Sequence, residues 1–305
     1  MDAERIAPEL REMGRKLPRP PVRTALGRAV TQFAMARLKS KPVEGARLEI
    51  VEGAGQGLRV FHPQTRLGEG ALLWIHGGGY VIGRASMDDG LCARIAARLG
   101  LTVVSAEYRL APRHRFPAGL DDALAAWDWL QDSAKAWGLD ARRIAIGGMS
   151  AGGGLAAALV QRVHDRGGVG AAAQWLHSPM LDDRTATRAD LTALGHFTWD
   201  NRSNAFGWQA YLGARPGGSK APAYAVPARR EDLAGLPPAW IGVGDIDLFH
   251  EECGAYAGRL AAAGVATTLA VVPGAPHGFE VWGAGTPLVR AHMEGARRWL
   301  ATAVG

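Results

Sequence analysis

Gly148-Met149-Ser150-Ala151-Gly152 reads G-x-S-x-G, and it stands between an apolar run, Arg143 to Ile146, and a helix-like stretch beginning at Ala151. A serine on a sharp strand-to-helix turn projects its Oγ outward, and only small residues fit two positions to either side, which Gly148 and Gly152 satisfy. Ser150 then lies at a helix N-terminus, where free N–H groups and the helix dipole favour negative charge developing nearby. The chemistry this suits is nucleophilic attack on an acyl carbon. The plainer reading, a glycine-rich turn whose serine only caps a helix, does not account for the strand before it and the helix after it.

An attacking serine needs donors for the oxyanion it creates. His76-Gly77-Gly78-Gly79-Tyr80 follows the apolar run Ala71 to Ile75, and such a loop lets backbone N–H groups approach an acyl oxygen that any Cβ would block. Gly78 and Gly79 are the expected donors, joined by Ala151, the residue after the serine. The glycine patterns that cradle phosphates or dinucleotides, GxxxxGK[ST] and GxGxxG, occur nowhere in the chain.

A base and an acid must follow. Of nine histidines, His277 alone sits on a loop after the last strand, in Pro273-Gly274-Ala275-Pro276-His277-Gly278-Phe279. His76 precedes the serine, whereas this order of elements supplies serine, acid and histidine in that sequence, so His76 reads as structural. The acid should end the preceding strand, where Asp245 and Asp247 both stand. Either carboxylate could hold the imidazole in its working tautomer, and the pattern does not separate them.

The elements that position these groups are legible from hydrophobic runs. Eight short runs read as strands: Arg47 to Val51, Leu58 to Phe61, Ala71 to Ile75, Thr102 to Ala106, Arg143 to Ile146, Ala172 to Leu176, Trp240 to Val243 and Thr267 to Val272. From the third onward they alternate with helix-like segments near 86–99, 117–131, 151–165, 249–263 and 286–302. That alternation predicts a mostly parallel sheet covered by helices on both faces. Ile6, Leu10, Met13 and Leu17, then Val22, Leu26, Val30 and Phe33, recur at helical spacing and predict two amphipathic helices before the first strand. Residues 183–235 carry many Trp, Pro, Arg and Asn and no clear strand. The expected organisation is N-terminal cap helices over 1–45, a catalytic domain from 46–182 and 231–305, and an inserted cap segment over 183–230.

Composition narrows the function classes. No run of eighteen apolar residues occurs, and the first sixteen residues mix acids and bases, unlike a signal peptide; a soluble cytoplasmic protein without stable membrane insertion is expected. Cys92 and Cys253 lie far apart and suggest neither a disulfide framework nor a metal motif. Of the net charge of +6, residues 1–45 hold +5, as ten Lys/Arg against five Asp/Glu. No nucleic-acid-binding motif accompanies that excess, so a solvated helix face is expected and nucleic acid is not an expected partner.

With serine, acid and histidine in order, the chain resembles the hormone-sensitive lipase family of esterases in its bacterial branch, from about residue 70 to 282. The resemblance rests on His76-Gly-Gly-Gly79, Glu107-Tyr-Arg-Leu-Ala-Pro112, Phe116-Pro-Ala118 followed by Asp121-Asp122, Ser150-Ala-Gly-Gly153, Ser178-Pro-Met-Leu-Asp-Asp183, Asp247-Leu-Phe249 and His277-Gly-Phe279. It implies the α/β-hydrolase fold with a helical cap and a carboxylesterase acting on short- to medium-chain esters through Ser150, Asp247 and His277. It maps the acid onto Asp247 rather than Asp245, and implies a small-molecule ester as partner and no metal or organic cofactor; homodimers are common in it. A ligand-binding receptor of the same fold is the rival from another class, and retention of His277 argues against it; lactone and amide hydrolysis share the same tetrahedral intermediate. One departure stands out: the family usually has Asp, Glu or Thr before the serine, and this chain has Met149, so a polar contact beside the site is expected to be missing. His177, where an apolar or aromatic residue is usual, reads as packing.

Overall fold

A computed structural model describes residues 1–17, 19–37, 42–52 and 55–305. All eight expected strands form: β1 (Ala46–Val51), β2 (Leu58–Pro63), β3 (Ala71–Ile75), β4 (Thr102–Ala106), β5 (Ile144–Met149), β6 (Ala173–His177), β7 (Ala239–Gly244) and β8 (Thr267–Val272). They make one sheet in the order β1-β2-β4-β3-β5-β6-β7-β8. β1 and β2, and β2 and β4, pair antiparallel, and every later pairing is parallel.

The helices are α1 (Pro8–Lys16), α2 (Ala25–Arg37), α3 (Asp89–Leu99), α4 (Ala118–Ala134), α5 (Ala151–Arg166), α6 (Ala189–Leu194), α7 (Asn201–Leu212), α8 (His250–Ala262), α9 (Phe279–Trp282) and α10 (Pro287–Val304). The central strands are apolar at nearly every position because both faces are covered. Alternate residues of β3 show this directly: Ala71, Leu73 and Ile75 face a core shared with α4, α5 and α8. Leu72 and Trp74 face a second core with α3 and α10. The edge strands β1 and β8, covered less, leave Leu48, Ile50, Leu269 and Val271 exposed.

Residues 183–230 form α6, α7 and turns and contain no strand among the described residues, as expected. The start of this insertion is tied to the body, and its two ends are tied to each other. Buried Glu252 accepts from the N–H groups of Leu181 (2.6 Å) and Asp182 (3.2 Å), and Asp183 accepts from Arg229 Nε (2.8 Å) and Gly217 N–H (2.7 Å). At the N-terminus, α1 buries Leu10 beside Ile6 against the second core, and Ala7 N–H donates to Gly274 O at 2.8 Å. The second helix is amphipathic in sequence, yet Leu26, Val30 and Phe33 are exposed. Cys92 and Cys253 are free and buried. Among the described residues no helix is long and apolar enough to cross a membrane.

Candidate active site

The turn from β5 into α5 is as tight as the G-x-S-x-G spacing requires. Ser150 has φ 56° and ψ −121°, a strained conformation for a residue with a Cβ. A Cβ on Gly148 would lie 2.4 Å from Gly152 O, and one on Gly152 would lie 2.1 Å from Ile75 O. The turn is held by Ser150 N–H donating to His177 O (2.8 Å) and Ser150 O accepting from Met180 N–H (2.9 Å).

Ser150, His277 and Asp247, separated by up to 127 positions, meet in one hydrogen-bonded line. His277 Nε2 lies 2.9 Å from Ser150 Oγ, and His277 Nδ1 lies 2.9 Å from Asp247 Oδ2. The other carboxylate oxygen of Asp247 accepts from Phe249 N–H at 2.9 Å, which fixes its plane. Asp245 points elsewhere: it is exposed and accepts from Gly274 N–H at 2.6 Å, bracing the loop that carries His277. The acid left open by the residue pattern is thus separated by geometry, and only Asp247 reaches the imidazole.

All three members of the line are buried. Burial pushes the His277 pKa down, but the charge and hydrogen bond of Asp247, with a further contribution from Glu280, more than offset it and leave the pKa raised. Glu280 is a residue that sequence reasoning missed. Met149 and Glu280, the latter supplied from α9, line one cleft. The only available signal for Glu280 was its place three residues after His277.

The glycine loop folds back toward Ser150. Gly78 and Gly79 have φ 124° and 60°, and a Cβ on Gly78 would lie 1.9 Å from Ile82 O, so neither tolerates a side chain. Among the described residues, the N–H groups of Gly78, Gly79 and Ala151 donate to no backbone carbonyl in turns or caps, which leaves them available for an incoming oxyanion. His76 lies behind the loop, stacked on Tyr108 at 4.2 Å and within 2.8 Å of Gly77 O through Nδ1. Complete burial lowers its pKa to about 4, as suits a structural neutral ring. Tyr108 OH donates to His76 O at 3.1 Å, and Arg109 pairs with Asp122 at 2.9 Å, so the Glu107-to-Pro112 stretch supports the loop.

The insertion closes over this arrangement. Trp199 packs against Gly79, where a Cβ would lie 2.1 Å from the indole. Thr198 Oγ1 donates to His277 O at 2.8 Å.

Known proteins resemble this chain in sequence and in fold. A family model described as alpha/beta hydrolase fold matches residues 72–281. Ethyl acetate hydrolase from Pseudomonas putida is 35% identical over 73% of this chain and 70% of its own length. Esterase LipI from Mycobacterium tuberculosis is 36% identical, again over 73% and 70%. Among solved structures, a bacterial heroin esterase superposes with a TM-score of 0.90 at 32% identity, covering 99% of both chains.

Proposed function

The chain belongs to the bacterial branch of the hormone-sensitive lipase family of α/β-hydrolase-fold ester hydrolases, and from that premise we propose that it cleaves short- to medium-chain carboxylic esters through an acyl-enzyme on Ser150. The observation that carries this reading is the pair of 2.9 Å contacts by which His277 links Ser150 to Asp247. His277 Nε2 removes the proton as Ser150 Oγ attacks the acyl carbon. Asp247 orients the ring and stabilises the imidazolium. The N–H groups of Gly78, Gly79 and Ala151 take the negative charge of the tetrahedral intermediate. As the intermediate collapses, His277 returns the proton to the departing alcohol; it then activates a water that releases the acid and frees Ser150.

Residues 1–45, of which 18 and 38–41 lie outside the described residues, and 183–230 act as the cap; the contacts of Trp199 and Thr198 with the two halves of the site support this for the insertion, and the hydrogen bonds of Gln32 with Gly83 support it for α2. Similarity to an ethyl acetate hydrolase supports a small acyl group. A receptor has no use for a Ser–His–Asp line with every hydrogen bond in place, which favours catalysis over ligand reception. The test is nitrophenol release from 4-nitrophenyl butyrate, together with labelling by a fluorophosphonate probe. Wild type should turn over and carry one label on Ser150, and Ser150→Ala should do neither. Turnover by Ser150→Ala within tenfold of wild type would refute the assignment.

A further inference from the structure

Behind the triad, on the α3 and α10 side of the sheet, three side chains from three elements converge without satisfying one another. His177 ends β6, Glu280 lies in α9 and His292 lies in α10. Both ring nitrogens of His177, both carboxylate oxygens of Glu280 and Nε2 of His292 are buried with no hydrogen-bond partner among the described residues. His177 is fully buried and Glu280 is 6% exposed. Unmet polar atoms in such a place are costly, and a carboxylate is the most costly of them.

The three cannot settle the matter by pairing. The shortest approach, His177 Nδ1 to Glu280 Oε1, is 3.6 Å, too long for a hydrogen bond. The walls around His177 are aromatic: the ring centroids of Trp175, Trp240 and Trp74 stand 4.3, 4.7 and 5.7 Å from that of His177. Phe279 stands 5.1 Å from His292.

We propose that His177, Glu280 and His292 bind one divalent transition-metal ion of the zinc type, as a structural site that touches none of the reacting atoms. One ligand atom from each residue lies within 4.8 Å of the others. Bonds of about 2.0–2.1 Å around a tetrahedral zinc hold ligand atoms roughly 3.3–3.5 Å apart. The His177–Glu280 separation of 3.6 Å is already close to that range, and a separation at the 4.8 Å limit closes with side-chain adjustments that total about 1.4 Å. Two imidazoles and one carboxylate select zinc, cobalt or nickel over magnesium and calcium, which take oxygen ligands. The cleft of about 300 Å³ lined by Met149, Arg94 and Glu280 gives a fourth, water ligand a way in.

The consequence is mechanical. The His177 carbonyl holds Ser150 N–H, and α9 begins two residues after His277. An ion here staples the strand end beside the serine to the helix behind the histidine and to the C-terminal helix.

The test measures metal, not turnover, so its failure leaves the esterase reading standing. Full-length protein is stripped with chelator, loaded with Zn²⁺, dialysed against metal-free buffer and assayed by elemental mass spectrometry. Wild type should retain one zinc per chain, bind Co²⁺ with the visible d–d bands of tetrahedral coordination, and melt at a higher temperature with zinc than without. Glu280→Gln and His292→Gln, chosen because His177 lies in the core, should keep the apo circular dichroism and bind zinc more than about 100-fold more weakly, beyond the loss typical of outer-shell changes. The surface control His164→Gln should bind as wild type. Substoichiometric zinc in wild type, or equal retention by wild type and His292→Gln, overturns the proposal.

Discussion

At the scale of single residues, the proposed role of His277 as base makes its raised pKa set the pH profile. His277 must be neutral to accept the Ser150 proton, so activity falls as pH drops through its pKa. Because the pKa is raised from 6.5, the acid limb of kcat/KM should have its midpoint above 6.5. A carboxylate placed at Met149 would add negative charge and further favour the imidazolium; Met149→Asp should move that limb to still higher pH without abolishing activity. Paired pH–rate profiles at matched ionic strength check this, and an unmoved or acid-shifted limb would show that position 149 does not sense His277. The two aspartates give a second comparison. Asp247→Asn should lower kcat by about 10⁴. Asp245→Asn should cost less than about tenfold, because its contact is with Gly274 and not with the ring. The residue pattern alone could not make this distinction, since which of two carboxylates two positions apart faces the imidazole depends on the turn after β7. Glu280 is equally hidden, because nothing in its spacing shows that α9 turns it inward toward His177.

Elements were the more legible scale, and the physical reason is periodicity. Strands buried on both faces read as unbroken apolar runs, so β3 and β4 have the bounds that the runs suggest, and the β-branched run of the edge strand β8 marks its bounds as well. β5 extends further, through Gly147 and Gly148 to Met149, because pairing of Met149 with His177 and of Gly148 with Ile75 carries the ladder to the turn. The insertion is recognisable in the sequence only as a region without strands: its contact with Gly79 comes from Trp199, on the loop between α6 and α7, and a loop contact leaves no periodic trace. Where an element is long and buried, its packing supports a prediction. Leu159 of α5 is fully buried between that helix and the sheet. Leu159→Ala should reduce the unfolding free energy by about 2–5 kcal/mol, measured by chemical denaturation, while active-site titration of the folded fraction stays at one label per chain. A loss below about 0.5 kcal/mol would mean that α5 is not anchored through this face.

For the whole molecule, the proposed cap leads to a prediction about which esters can enter. Ser150 is 6% exposed and His277 8%, so the reacting groups sit under cover rather than at an open surface. The cover is fastened at several points. Gln32 of α2 makes two hydrogen bonds with the backbone of Gly83, accepting from its N–H at 2.7 Å and donating to its carbonyl at 3.1 Å. Arg28 stands 4.9 Å over the ring of Phe206, linking α2 to the insertion. The exposed Leu26, Val30 and Phe33 could adsorb to a lipid surface, but adsorption alone does not open a cap pinned at Gly83. Activation at an oil–water interface requires that a lid move away, and two backbone hydrogen bonds together with the insertion's contacts oppose that movement. Across 4-nitrophenyl esters from two to sixteen carbons, kcat/KM should therefore peak at short to medium chains, and the rate should pass smoothly through the solubility limit of the longer ones. Gln32→Ala, which frees α2 from Gly83, should shift the preference toward longer chains. A higher kcat/KM for the sixteen-carbon ester than for the four-carbon one in wild type, or a jump in rate when substrate forms an emulsion, would mean that the cap opens despite these ties.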